Sequence, residues 1–586
     1  LKGPAAAALY GSRAGNGVIM ITTKTGKNQK GIGISYNSNL TFERPMQLPK
    51  YQNTYGQGEN GKYVQNSVGS WGAKMDGSQI TDLAGNPTTY SSGDNDLMDF
   101  LRTGTTWTNS LDLSSSSDKN SIRVGVMNLR NKGVVPNSSF NKTSATLRAT
   151  ADLTDKLSFD AKITYYTQKT ENRIKLAGDP DNIFRNYLLM PRSVHFSDLN
   201  RYPDYKFPEN TKNPANGADL SGKPVSWTDQ YSGLIRNPYW AAYKDTNSDR
   251  RDRVLGFGSL KYEFTDWLNI QARYGIDYFS TQYEMRDATG LPYWFAQGQY
   301  IMNKETSYEA NADVLLTFNK QLSEKVGLLA TAGGNLMYRR ADGIYGETGP
   351  MIIPDFHTLA NAGKSSARSA LTKKAINSLY ATASLSYDNT LYLDVTARND
   401  WSYALSADNR SYFYPSVGTS WLFTESLNKW NIKPSFLDFG KLRLSWAEVG
   451  NDTDPYRLLD YLTLGTTYVY NPETDQVETI LNGKKSNILN NPDLKNETIT
   501  SWEAGLELRA FNNRLGLDFA YYTKDATDQI LKMNVPASTG YSFKYVNAGK
   551  LRNNGVEILL TGTPVKTKDF SWDITLNYSK NKSKII

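Results

Sequence analysis

Residues 268–278 read LNIQARYGIDY, and the alternation in this stretch decides the fold. Its even positions are Leu268, Ile270, Ala272, Tyr274, Ile276 and Tyr278; between them lie Asn269, Gln271, Arg273, Gly275 and Asp277. Side chains two residues apart share one face of a strand, so the stretch has an apolar face and a polar one. The same period recurs at residues 157–165, 391–398, 502–510, 515–521 and 572–578. Along the whole chain the pattern predicts about seventeen strands, many of them about ten residues long. That length crosses a bilayer at the usual tilt, whereas strands of soluble proteins are nearer five or six residues.

The connections alternate in kind. Polar pairs and triplets predict tight turns at Thr154, Asp155 and Lys156, at Thr265 and Asp266, at Asp388, Asn389 and Thr390, and at Asn512 and Asn513. Between them stand long Gly-, Pro- and Asn-rich stretches at 170–252, 281–306, 339–374 and 449–498. Loops of that size argue against a compact soluble domain but suit an outer-membrane barrel, which has short periplasmic turns and long extracellular loops. Charge selects the faces. A Lys or Arg against lipid near the midplane costs about 2–4 kcal/mol, and Lys162, Arg273 and Arg398 all fall on the polar phase. The apolar phase is therefore expected to face lipid, with Ile270 outward and Gln271 toward a wet lumen. Trp267 and Trp572, beside turns, suit interfacial girdles.

Composition removes other classes. The 586 residues hold 66 Lys+Arg against 58 Asp+Glu, a net charge of +8, with two His and no Cys. Disulfide scaffolds, thiolate metal sites and cysteine nucleophiles are excluded, and His195 and His357 read as loop residues. Mean hydropathy is −0.56, and no apolar run is long enough for a membrane helix. The pI near 9.0 comes from scattered basic residues without a dense patch, so nucleic acid is not expected as a partner. The acidic groups Asp94, Asp96 and Asp99, and Asp452 and Asp454, lack EF-hand spacing; no metal and no cofactor is expected. No enzymatic activity is expected either, because nothing sets two carboxylates on a common cleft. The chain begins at Leu1 without a signal peptide and stops after an alternating segment, and it reads as a fragment.

Residues 1–27, LKGPAAAALYGSRAGNGVIMITTKTGK, combine an Ala-rich turn of helix, a Gly-rich bend and a short apolar strand. This stretch resembles the last segment of the plug in SusC/RagA-like TonB-dependent outer-membrane transporters. Residues carrying the likeness are Gly3, Ala8, Leu9, Tyr10, Gly11, Ser12, Arg13, Asn16 and Gly17. Four more stretches resemble the same family in order: ARNDW (397–401) with FYPS (413–416), KLRLSWAEVGND (441–452), NPDLKNETITSWEAGLEL (491–508) and NAGKLRNNGVEILL (547–560). The resemblance implies an all-β fold, a transmembrane antiparallel β-barrel of about 22 strands when complete, with about 17 here. It divides the chain into the end of a plug at 1–30 and barrel at 31–586, with C-terminal strands missing.

The same resemblance implies an outer-membrane location, a SusD-like surface lipoprotein as lid, and TonB with its inner-membrane motor. The implied job is import of an oligomeric glycan or peptide. Candidate contacts for such cargo are the loop aromatics Trp227, Tyr239, Trp240, Tyr293 and Trp294, although structural packing explains the NPYW pair equally simply. Two other readings stay open from the residues: a SusC-like scaffold subunit without transport, and a soluble β-rich glycan-binding protein, whose strands also alternate.

Overall fold

The computed structural model describes residues 11–15, 17–26, 31–65, 67–82, 84–93, 97–201, 204, 206–212, 219, 221–226, 235–290, 297–363, 366–471, 473 and 476–586. Seventeen strands share one antiparallel sheet. They are β1 Gly31–Glu43, β2 Gly104–Ser116, β3 Asn120–Lys132, β4 Ser139–Asp152, β5 Leu157–Glu171, β6 Thr246–Thr265, β7 Leu268–Asp287, β8 Gln299–Ser323 and β9 Val326–Glu347. The others are β10 Ser366–Tyr387, β11 Leu391–Ser402, β12 Ser411–Trp421, β13 Leu437–Asn451, β14 Glu497–Ala510, β15 Leu515–Thr527, β16 Lys550–Lys566 and β17 Ser571–Ile585. Each pairs with the next in chain order, a meander throughout. Among the described residues no register joins β17 back to β1, so the sheet is not closed into a barrel.

Register keeps the two faces apart. Ala272 lies opposite Val314, Val314 opposite Gly334, and Gly334 opposite Leu379. One residue along, Arg273 meets Asp313, Asp313 meets Asn335, Asn335 meets Ser378, and Ser378 meets Asp400. A slip of one residue in any ladder would mix these rows. The apolar row is left uncovered: Leu336, Leu379, Trp502 and Leu576 are each about 60% exposed. Leaving such a side chain in water forgoes about 1.5–3 kcal/mol of burial, which marks this face as the one turned to lipid. Among the described residues no helix is long and apolar enough to cross a membrane.

The tight turns lie where expected, all at one end of the sheet. Asp388 and Asn389 take φ of 54° and 53°, and Asn512 and Asn513 both take 59°, left-handed values that Asn and Asp tolerate best. The long connections gather at the other end, but three differ from expectation. Residues 281–287 and 299–306 are strand, paired as Lys304 with Gln282 and Glu305 with Thr281, so that loop shrinks to 288–298. Likewise Arg339 pairs with Lys374 and Arg340 with Lys373, which confines the next loop to 348–365. Strands therefore reach 25 residues rather than about ten. Above the bilayer both faces of a strand are wet, so the hydrogen-bond ladder continues after the period-two signal has faded. The 452–496 connection carries its own hairpin, Leu462–Asn471 with Gln476–Lys485.

Candidate functional site

Residues 11–26 run along the polar face of the sheet, held at separated strands. Lys524 on β15 donates from Nζ to the Gly15 carbonyl at 3.0 Å. Arg148 on β4 donates from Nη1 to the Thr23 carbonyl at 2.8 Å and to its hydroxyl at 2.9 Å, while its Nη2 pairs with Asp160 at 2.8 Å. In a flat sheet β4 and β15, eleven strands apart, would be about 50 Å from each other. The chain from Gly15 to Thr23 spans at most about 29 Å. The sheet is therefore curled around this inner segment, and its polar face is concave.

Between these two contacts Arg13 reaches Glu309 of β8, Nη2 to Oε1 at 2.9 Å. Ala14, in the 3₁₀ turn Ser12–Ala14, belongs to a buried cluster with Leu405, Tyr412, Tyr414, Val449 and Leu494. A cavity of about 770 Å³ remains between segment and wall, and Lys162, Arg273 and Arg398 all line it. The three cations assigned to the polar phase thus meet in one wet interior.

The ARNDW stretch builds the most buried part of this wall. Arg398 donates from Nε to Asp400 Oδ1 at 2.7 Å and from Nη2 to Ser378 Oγ at 2.8 Å. Tyr414, from FYPS on β12, donates to Asp400 Oδ2 at 2.6 Å. Side chains of Arg398 and Asp400 are 5% and 1% exposed, so each charge depends on the other. Gly11 lies against this guanidinium with φ of 76°, and a Cβ there would sit 3.1 Å from Nη2. Close approach and a left-handed backbone both call for glycine.

Of the other motif residues, Ser12 is in the 3₁₀ turn and Gly17 takes φ of 95°. Gly3, Ala8, Leu9, Tyr10 and Asn16 lie outside the described residues, as do Trp227, Tyr293 and Trp294. Tyr239 and Trp240 belong to a short helix, Pro238–Tyr243, whose cap Asn237 accepts from the Tyr239 amide at 3.0 Å and donates to the Leu199 carbonyl at 3.0 Å. Both residues are buried, at 9% and 2% exposure; Tyr239 belongs to a packed cluster of loop residues and Trp240 to a smaller one with Ala288. The larger cluster joins Phe100, Tyr187, Phe196 and Tyr239 from loops far apart in sequence, with ring centroids of Phe100 and Tyr239 5.0 Å apart. Periodicity gave no sign of it, although Asn-Pro ahead of an aromatic run is a helix-start signal. Asp94 and Asp96 lie outside the described residues and Asp99 is in the helix Leu97–Phe100. Asp452 pairs with Lys374 at 2.8 Å and Asp454 with Arg457.

A family model described as "TonB dependent receptor-like, beta-barrel" matches residues 186–584. TonB-dependent receptor P26 of Formosa agariphila is 25% identical, covering 100% of this chain and 56% of its own. TonB-dependent receptor SusC of Bacteroides thetaiotaomicron is 24% identical with the same coverages. Among solved structures, the RagAB peptide importer in its open-open state superposes with a TM-score of 0.78 at 19% identity, covering 100% of this chain and 64% of that one. The chain spans about half the length of the curated relatives it matches.

Proposed function

The chain belongs to the TonB-dependent receptor-like β-barrel family, a family of outer-membrane receptors and not of enzymes, and from that premise we propose that it is the barrel of a SusC/RagA-like importer. In this reading residues 11–26 are the end of a plug, a SusD-like lipoprotein covers the long-loop end, and TonB pulls from the tight-turn end. Cargo is an oligomeric glycan or peptide. Among the loop aromatics, Trp227, Tyr293 and Trp294 remain the proposed contacts to it.

One observation carries the proposal: polar contacts at three separate strands hold the inner segment to the wall. Arg13 to Glu309, Arg148 to Thr23 and Lys524 to Gly15 can each be exchanged for water when the segment moves. An apolar seam of the same length would have to expose its whole area. In cells carrying the full-length protein, uptake of labelled glucan and peptide oligomers is expected to stop when a protonophore collapses the inner-membrane gradient. Uptake of either class that continues unchanged would remove the active-import reading.

A smaller prediction concerns the Arg13 contact itself. Its partners are 63% and 19% exposed, so the pair contributes no more than about 1 kcal/mol. Glu309→Gln is expected to leave the unfolding midpoint nearly unchanged but to raise leak current through the protein in planar bilayers. Equal leak in both proteins would mean that this contact does not help to seat the segment.

A further inference from the structure

At the long-loop end, outside the apolar band, a buried group of charges joins three parts of the chain. Arg236, just ahead of the Pro238–Tyr243 helix, donates from Nε to Asp181 Oδ1 at 3.1 Å and lies 3.7 Å from Asp245 Oδ2. Asp245, immediately before β6, has a fully buried side chain. Its Oδ1 accepts from the Ala288 amide at 3.0 Å, and its Oδ2 has no hydrogen-bond partner. Asp287, the last residue of β7, is buried and accepts from Gln299 at 2.7 Å, and its carbonyl faces His357 Nε2 at 3.1 Å. From the loop side come Asp179 and Lys175, 3.9 Å apart, with Lys175 also near Met285 and Tyr283.

The balance is uneven. Four carboxylates, Asp179, Asp181, Asp245 and Asp287, share two cations, Lys175 and Arg236. With every group ionised, two negative charges are in excess in a site where burial makes each expensive. The Asp245 Oδ2 atom, fully buried and with no hydrogen bond made to it, is where a proton removes the most charge for the least rearrangement. We infer that this junction is a proton-operated clamp: protonated, it fastens the segments carrying Lys175 to Asp181 and Arg236 to the tops of β6 and β7, and deprotonated, it releases them.

The electrostatics run in the same direction. Burial raises Asp181 to about 6, and burial together with Asp181 pushes Asp245 well above the usual carboxylate range. Burial also raises Asp287. Raised folded-state values mean that the clamp's stability is fully present below the unfolded value of about 3.9, and is lost as pH rises through the folded values. For Asp181 alone, a move from about 3.9 to about 6 changes the opening equilibrium about tenfold between pH 5 and pH 8. Asp245 extends the loss to higher pH. The clamp does not depend on the import reading; only its effect on cargo entry does.

Hydrogen exchange on the detergent-solubilised full-length protein tests it. After correction for intrinsic rates, amides of Ile183–Leu189 and Pro238–Tyr243 are expected to exchange at least tenfold faster at pH 8 than at pH 5, while those of β11 stay unchanged. Asp245→Asn, which keeps the acceptor for Ala288 and removes the charge, is expected to show a smaller pH response than wild type in both helices, no more than the roughly tenfold change that Asp181 supplies. Should that variant not assemble, Asp181→Asn makes the same comparison with about a tenfold smaller pH response than wild type. Equal protection at both pH values in wild type, a full pH response in the Asn variant, or an equal response in β11 would overturn the clamp.

Discussion

Val314→Arg is expected to cut the amount of folded protein recovered from outer membranes by at least tenfold, while Gln271→Arg leaves it close to wild type. Val314 lies on the apolar row, half exposed to lipid, with Ala272 and Gly334 as its cross-strand neighbours. Along β8 it sits between Phe318, which packs edge-on against Trp267 near the tight turns, and Tyr308, whose hydroxyl meets that of Tyr274. Those aromatics mark the two interfaces, so Val314 is near the midplane, where Arg costs about 2–4 kcal/mol. A tenfold loss needs about 1.4 kcal/mol. Gln271 is on the opposite face, lines the inner cavity and donates to Ser259 at 2.7 Å. Ile270→Arg also puts a charge toward lipid, but only three residues from Trp267, where the cost falls to about 0–1 kcal/mol. Its loss should be intermediate. Equal recovery of the Val314 and Gln271 variants, by heat-modifiability on gels, would mean that the two faces do not differ as lipid and lumen, and loss in the Gln271 variant alone that they are assigned the wrong way round.

That experiment rests on information the sequence already carries, because lipid imposes a chemical difference on alternate residues of every crossing strand. The phase at Arg273 and Arg398 could be read from single strands, and register then placed both on the same wall as Asp313 and Asp400. The upper halves of β7 to β10 carry no such signal. Lys304 opposite Gln282 and Arg339 opposite Lys374 are polar on both faces, and only the backbone ladder identifies them as strand. Loop packing is further from reach: Phe100, Phe196 and Tyr239 meet across more than a hundred residues, and no local period connects them. The inner wall is an intermediate case. The residues of ARNDW and FYPS stand out as motifs, but that Arg398, Asp400 and Tyr414 serve one another depends on pairings between three strands.

Those pairings make Asp400 the site of the second large effect. Asp400→Ala takes the counter-charge from the Arg398 guanidinium, 5% exposed, and the acceptor from the Tyr414 hydroxyl. Breaking a buried ion pair from one side costs about 3–5 kcal/mol, because the charge left behind loses its counter-charge in a poorly solvated place. Unfolding by urea in micelles should therefore show the Asp400→Ala midpoint well below that of Glu309→Gln, whose Arg13 partner is 63% exposed. A double variant, Arg398→Met with Asp400→Leu, removes both charges and fills similar space, and should recover most of the loss. If the double variant is as unstable as Asp400→Ala, the cost lies in the packing around β11 and not in the lost counter-charge. Recovery in the double variant, with the inner segment then less well held, would identify this network as the point where the wall's stability and the seating of residues 11–26 are set together.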